Sequence, residues 1–166
     1  NADYWKRHKA AFSFMTNYTG PITIYYGDEI GDEVPGFVNE GNGGYWDDHV
    51  SRSSGQISGF DSNQSDLKNY LTTLMTIRKS HKALWGGSRT NLIASGDKYA
   101  DLKTNGSEKI VYCLNVGTSS TTITISQSQV GDTTLRDLVS GSTITASGGS
   151  YNISINGLEG KFLIVE

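Results

Sequence analysis

The sequence predicts an α/β segment followed by an all-β module. Three observations carry this. Apolar residues recur at helical spacing in two stretches before His81, a β-branched and aromatic run lies between them, and short strand-like runs fill the rest. After His81 the composition also turns rich in Ser, Thr and Gly.

Tyr4, His8, Ala11, Met15 and Tyr18 recur at three- and four-residue spacing, which predicts a helix over residues 4–18. Gly20-Pro21 ends it, because proline cannot continue a helix and glycine suits the turn. Residues 21–26, Pro-Ile-Thr-Ile-Tyr-Tyr, form a short run closed by Gly27. Such a run after a helix reads as a strand buried on both faces, the habit of parallel sheets. Residues 28–64 show no sustained period and are rich in Gly, Asp, Glu and Asn. A stretch that long exceeds an ordinary connection and marks a functional or mobile segment. A second helix is predicted at about 65–80, with Leu67, Tyr70, Leu71, Leu74, Met75 and Arg78 on one face. Asp66 near its start complements the helix dipole.

The strand-like runs of the second half are 91–94, 99–103, 109–116, 121–126, 134–139, 151–155 and 161–165. Thr121 to Ser126 and Tyr151 to Asn156 alternate as half-buried antiparallel strands do. Asn105-Gly106 supplies a hairpin turn and Asn156-Gly157 a second turn. Short strands at this spacing suggest a small sandwich or barrel. The first half, by contrast, holds a single two-sided apolar strand. Its neighbours are expected on another stretch of polypeptide, and a helix starting beside Asn1 agrees with a chain cut from something longer.

The chain has 166 residues, of which 36% are hydrophobic and 19% charged, with a net charge of −3. That balance argues against a nucleic-acid binder, and no apolar run is long enough to span a membrane. A single cysteine, Cys113, excludes an internal disulfide framework, and its flanks Ile110-Val111-Tyr112 and Leu114 predict an inert buried thiol. His8, His49 and His81 lack ligand spacing for zinc, and no phosphate loop or dinucleotide fingerprint occurs.

Asp28, Glu29, Asp32, Glu33, Glu40, Asp47 and Asp48 crowd the long loop, with no Lys or Arg until Arg52. A calcium site and an acid/base pair are the functional readings, and a solvated acidic loop is the plain one. EF-hand spacing is absent. Asp28-Glu29 and Asp47-Asp48 are sequence neighbours whose side chains point apart in extended chain, so neither makes a catalytic pair by itself. Tyr45, Trp46 and Trp85 occupy loop positions where a sugar ring could stack, with core packing or a wedge between domains the equal reading for Trp85.

Two stretches are more specific. Gly20-Pro21-Ile22-Thr23-Ile24-Tyr25-Tyr26-Gly27-Asp28-Glu29 resembles the eighth barrel strand of the α-amylase family of glycoside hydrolases. Leu74-Met75-Thr76-Ile77-Arg78-Lys79-Ser80-His81-Lys82-Ala83-Leu84 resembles that family's last barrel helix, with Lys82 where proline is usual. Tyr112-Cys113-Leu114-Asn115 sits where a strand of the family's C-terminal β domain would fall. The loop departs from the family's Asn-Arg-x-Pro-Met-x-Trp stretch, offering Tyr45-Trp46-Asp47-Asp48 and Ser51-Arg52-Ser53 instead.

The resemblance implies the last strand and helices of a (β/α)8 barrel over residues 1–85, then a small antiparallel β-sandwich over 86–166. It implies an enzyme that hydrolyses α-1,4-glucans with retention, and the low charge, Ser/Thr richness and single thiol fit a secreted or periplasmic one. The three catalytic carboxylates would precede this chain, leaving it inactive alone. Tyr26, Asp28, Glu29 and Arg52 would line the substrate cleft, and Trp85 would sit near the domain junction. No metal or cofactor is implied for this chain, while the intact enzyme could hold calcium. The implied partners are the remaining barrel polypeptide and the glucan. The alternative is a non-catalytic carbohydrate-binding or structural β module.

Overall fold

The computed structural model describes residues 2–32, 54–132 and 134–166. Helix α1 spans Ala2–Asn17, and a short 3-10 turn follows at Asp28–Ile30. Helix α2 runs Ser62–Ser80 and a short α3 Lys82–Gly86. Then come β1 (Ser88–Ser95), β2 (Lys98–Asn105), β3 (Glu108–Asn115) and β4 (Thr121–Ser126). A one-turn α4 (Gln127–Val130) precedes β5 (Thr134–Asp137), β6 (Thr143–Thr145), β7 (Ser150–Ile155) and β8 (Glu159–Val165).

All strand pairs are antiparallel, in a six-stranded sheet ordered β1-β2-β3-β8-β5-β6 and a two-stranded sheet β4-β7. The large sheet is covered on both faces. Val111, Cys113, Leu135 and Leu163 pack with Ile123, Ile125, Ile153 and Ile155 of the small sheet. Ile110, Tyr112, Leu114 and Phe162 pack instead against Phe12, Leu67, Leu71, Leu74 and Leu84 of the helices. This two-sided burial explains why β3 reads as an unbroken apolar run, since each successive side chain finds a different core. Burial of Cys113 pushes its thiol pKa upward, so the inert reading holds.

The Asn105-Gly106 hairpin forms as expected, with Asn105 opposite Glu108 and Gly106 at φ 61°. Asn156-Gly157 turns the chain from the small sheet into the large one. β6 was not foreseen, because three residues flanked by exposed Ser and Gly carry no usable period.

Three expectations need correction. Helix α2 starts at Ser62, where Asp61 accepts from the backbone of Asn63 (2.7 Å) and Gln64 (2.9 Å) in a capping box. Asp66 therefore serves a different purpose, pairing with Lys9 of α1. The buried face of α1 is also rotated from the predicted one, for Ala11 and Tyr18 are exposed while Ser13, Thr16 and Asn17 are buried. The hydroxyls of Ser13 and Thr16 donate to the carbonyls of Ala10 and Phe12, so polar residues enter that face with their bonds satisfied. Finally, Pro21–Tyr25 is not a doubly buried strand. It pairs with no strand among the described residues, Ile22 and Ile24 are half-buried, and Tyr25 and Tyr26 are 53% and 49% exposed.

A candidate cleft edge and its supports

The turn after Tyr26 is built by two glycines. Gly27 (φ 91°) and Gly31 (φ 59°) flank the 3-10 turn in left-handed conformations that side chains disfavour. At Gly31 a Cβ would also lie 2.7 Å from the Trp5 ring, so glycine is needed there on two counts. The Tyr4 hydroxyl donates to the Gly31 carbonyl at 3.1 Å, and Tyr4, Trp5, His8 and Phe12 form a chain of ring contacts beneath it. Ile30 is fully buried. Of the positions that announced α1, Tyr4 and His8 thus support the turn, and Trp5 and Phe12 join them.

Within this turn the Asp28 carboxylate accepts from the Tyr25 backbone N–H at 3.1 Å, and Glu29 accepts from that of Gly27 at 2.8 Å. Asp28 is exposed and Glu29 half-buried. The rings of Tyr25 and Tyr26 stand 4.5 Å apart, tilted by 39°. Tyr26, Asp28 and Glu29 therefore come together on one short turn. The two carboxylates serve neighbouring backbone donors, which suits fixing a turn and receiving a hydroxyl better than a paired acid/base role. Arg52, Glu33, Glu40, Tyr45, Trp46, Asp47, Asp48 and His49 lie outside the described residues.

The second motif is structural in its geometry. The Arg78 guanidinium, buried on α2, donates to the carbonyls of Thr16 (2.7 Å), Tyr18 (2.8 Å) and Gly20. It collects one carbonyl from the last turn of α1 and two from the segment that follows it. Burial lowers its pKa from the ordinary value. The His81 ring lies 2.8 Å from Glu108, whose other oxygen accepts from the Ala83 N–H at 2.7 Å and so caps α3. Trp85 is half-exposed, and its carbonyl accepts from Gly20 N–H at 2.9 Å, which places it where the helices meet β1.

Sequence reasoning missed a polar layer between α1 and β2. Asp101 and Lys103 are fully buried, facing away from Ala100 and Leu102 of the other core. Asn17 donates to both Asp101 oxygens (2.9 and 3.1 Å), Tyr99 donates to Asp101 (2.8 Å), and Lys103 donates to the Asn17 carbonyl (3.0 Å) and to the Thr19 hydroxyl. Burial raises the Asp101 pKa and lowers that of Lys103. The signal was available: charges at alternate positions of a strand whose other face is apolar must point at something polar.

No family model matches the chain, and no curated protein matches it. Solved structures do. AmyP in complex with maltose, and an AmyP variant in complex with maltotriose, each match 100% of this chain at 40% identity and a TM-score of 0.93. The chain covers 35% and 36% of those two proteins. The α-amylase of Geobacillus thermoleovorans, complexed with acarbose, matches 98% of the chain with a TM-score of 0.76 at 16% identity, a likeness of fold, and the chain covers 34% of it. The chain thus spans about a third of the length of the proteins it matches. Over its whole length it corresponds to the C-terminal part of α-amylase-family glycoside hydrolases.

Proposed function

We propose that this chain closes the catalytic barrel and supplies the C-terminal β domain of a secreted or periplasmic hydrolase of α-1,4-glucans. Residues 1–85 are the end of a (β/α)8 barrel in this reading, and residues 86–166 the antiparallel β domain. The observation that carries it is the full-length match to AmyP, a protein solved with maltose and with maltotriose. The run Ile22–Ile24, which pairs with no strand among the described residues, supports it as well. Extended apolar backbone leaves N–H and C=O groups to satisfy, and flanking barrel strands would satisfy them.

Active sites of such barrels lie at the C-terminal ends of the strands. The turn carrying Tyr26, Asp28 and Glu29 directly follows the run, so these residues line the cleft in this reading, and Arg52 is assigned to the same cleft from the family resemblance alone. The Tyr26 ring offers a sugar an apolar face. Asp28, exposed beyond its bond to Tyr25, accepts from a sugar hydroxyl, while Glu29 holds the Gly27 backbone in place. The retaining chemistry itself belongs to a nucleophile, an acid/base and a stabilising carboxylate outside these residues. No cofactor is assigned to this chain.

The test is release of reducing sugar from starch. The chain joined to the N-terminal part of AmyP is expected to hydrolyse starch, and the 166-residue chain alone to release none. Tyr26→Ala in the joined protein should raise KM roughly threefold to tenfold with a smaller change in kcat, since it removes substrate contact common to ground and transition states. Hydrolysis by the chain alone, or a folded but inert joined protein, would contradict the reading.

A further inference from the structure

The segment that leads into α2 ties that helix to the Tyr26 turn. The capping box of α2 is complete with Asp61 and Gln64 alone, the Gln64 side-chain oxygen accepting from the Asp61 N–H at 3.0 Å. The nitrogen of the same amide reaches further. It donates to Gln56 Oε1 at 3.1 Å, and Gln56 Nε2 donates to the carbonyls of Ser58 and Gly59, both at 3.0 Å. At the end of this loop Phe60 lies under Lys68 of α2, whose Nζ is 4.4 Å from the ring centroid. Ile57 is 95% exposed while Gln56 is half-buried, the reverse of their ordinary preferences for water. The polar side chain is the one turned inward because its amide closes the loop.

Gly55, beside Gln56 in the chain, meets the turn. Its φ of 76° is left-handed, and a Cβ there would stand 3.8 Å from Cδ2 and 3.9 Å from Cε2 of Tyr26. The Gly55 backbone therefore runs along one side of the Tyr26 ring, which also has the Tyr25 ring at 4.5 Å. A ring that must be ordered when a sugar arrives costs side-chain entropy and weakens the complex, whereas a ring already in place does not. We infer that Gln56 is a positioning residue for the candidate cleft: its amide holds Gly55 against Tyr26 and so presets the ring that meets the sugar. This inference rests on the role proposed above for Tyr26 and adds the residue, on another segment, that sets that ring.

The first test needs no substrate. In NMR spectra of the 166-residue chain, cross-relaxation between the Gly55 α protons and the Tyr26 ring protons is expected. It should be lost in Gln56→Ala, and equally in Gln56→Glu, which keeps the size of the side chain and loses both donors. Unchanged amide shifts along α2 after Tyr70 check that the variants are folded. The second test is kinetic, on starch, in the chain joined to the N-terminal part of AmyP. Gln56→Ala should raise KM roughly threefold with kcat unchanged. In the Tyr26→Ala background the same substitution should add nothing, because residues that act as a unit are not additive. A merely structural role would raise KM by the same factor in both backgrounds, and that result would overturn the inference. So would a Gly55–Tyr26 contact that is absent from the unchanged chain or that survives the loss of Gln56. A joined protein that hydrolyses no starch would strike the proposed function instead, and the contact measured in the chain alone still decides the link from Gln56 to Tyr26.

Discussion

Arg78 and Asp101 are both buried charges, and they do opposite kinds of work. Arg78 faces only carbonyls, three of them at the end of α1, with no carboxylate within its hydrogen bonds. Hydrogen bonds to a charged group contribute more than neutral ones, and removing one partner strands the others. Arg78→Met, which keeps the stem and loses the fork, is expected to cost about 3 kcal/mol of unfolding free energy in urea titration. Arg78→Lys should recover less than half of that, because an ammonium cannot reach separated carbonyls in one plane. A loss under about 1 kcal/mol would show that the carbonyls find water instead. Asp101 by contrast is surrounded by donors from Asn17 and Tyr99.

At the scale of elements, the contact of α1 with β8 depends on one missing side chain. A Cβ at Gly160 would lie 2.1 Å from the Ser13 hydroxyl and 3.0 Å from the Tyr112 hydroxyl. Those two hydroxyls are themselves bonded at 2.8 Å. Gly160→Ala is expected to lift α1 from the sheet and destabilise the protein by about 1–3 kcal/mol, read as a lower urea midpoint. An unchanged midpoint would mean the helix shifts without penalty. The sequence made α2 and most strands legible because their apolar periods are clean, as in Leu67, Leu71 and Leu74 or Ile123 and Ile125. It left the seam of α1 illegible because Ser13, Thr16 and Asn17 look polar until their partners are known. It overstated Pro21–Tyr25 for the reverse reason: apolar spelling promises burial, and the described residues supply no neighbouring strand. At the candidate site, the Tyr26-Gly27-Asp28-Glu29 spelling located the turn, while Tyr4 and Trp5 beneath it belong to another element and could not be joined to it from spacing.

At the scale of the whole molecule, the described residues form a sheet buried on both faces, with helices over one of them. The helix-covered core and the inter-sheet core share β3 and β8, so the two halves are held together by alternate faces of the same strands. What the helical half leaves open is the run leading to the Tyr26 turn. If that run completes a barrel, the amides of Ile22, Thr23 and Ile24 gain partners only when the preceding barrel strands are present. Hydrogen exchange of Ile22, Thr23 and Ile24 therefore tests the account most directly. Exchange should be near the unprotected rate in this chain and at least ~100-fold slower in the chain joined to the N-terminal part of AmyP. Equal rates in the two proteins, with α2 and β3 protected in both, would contradict it.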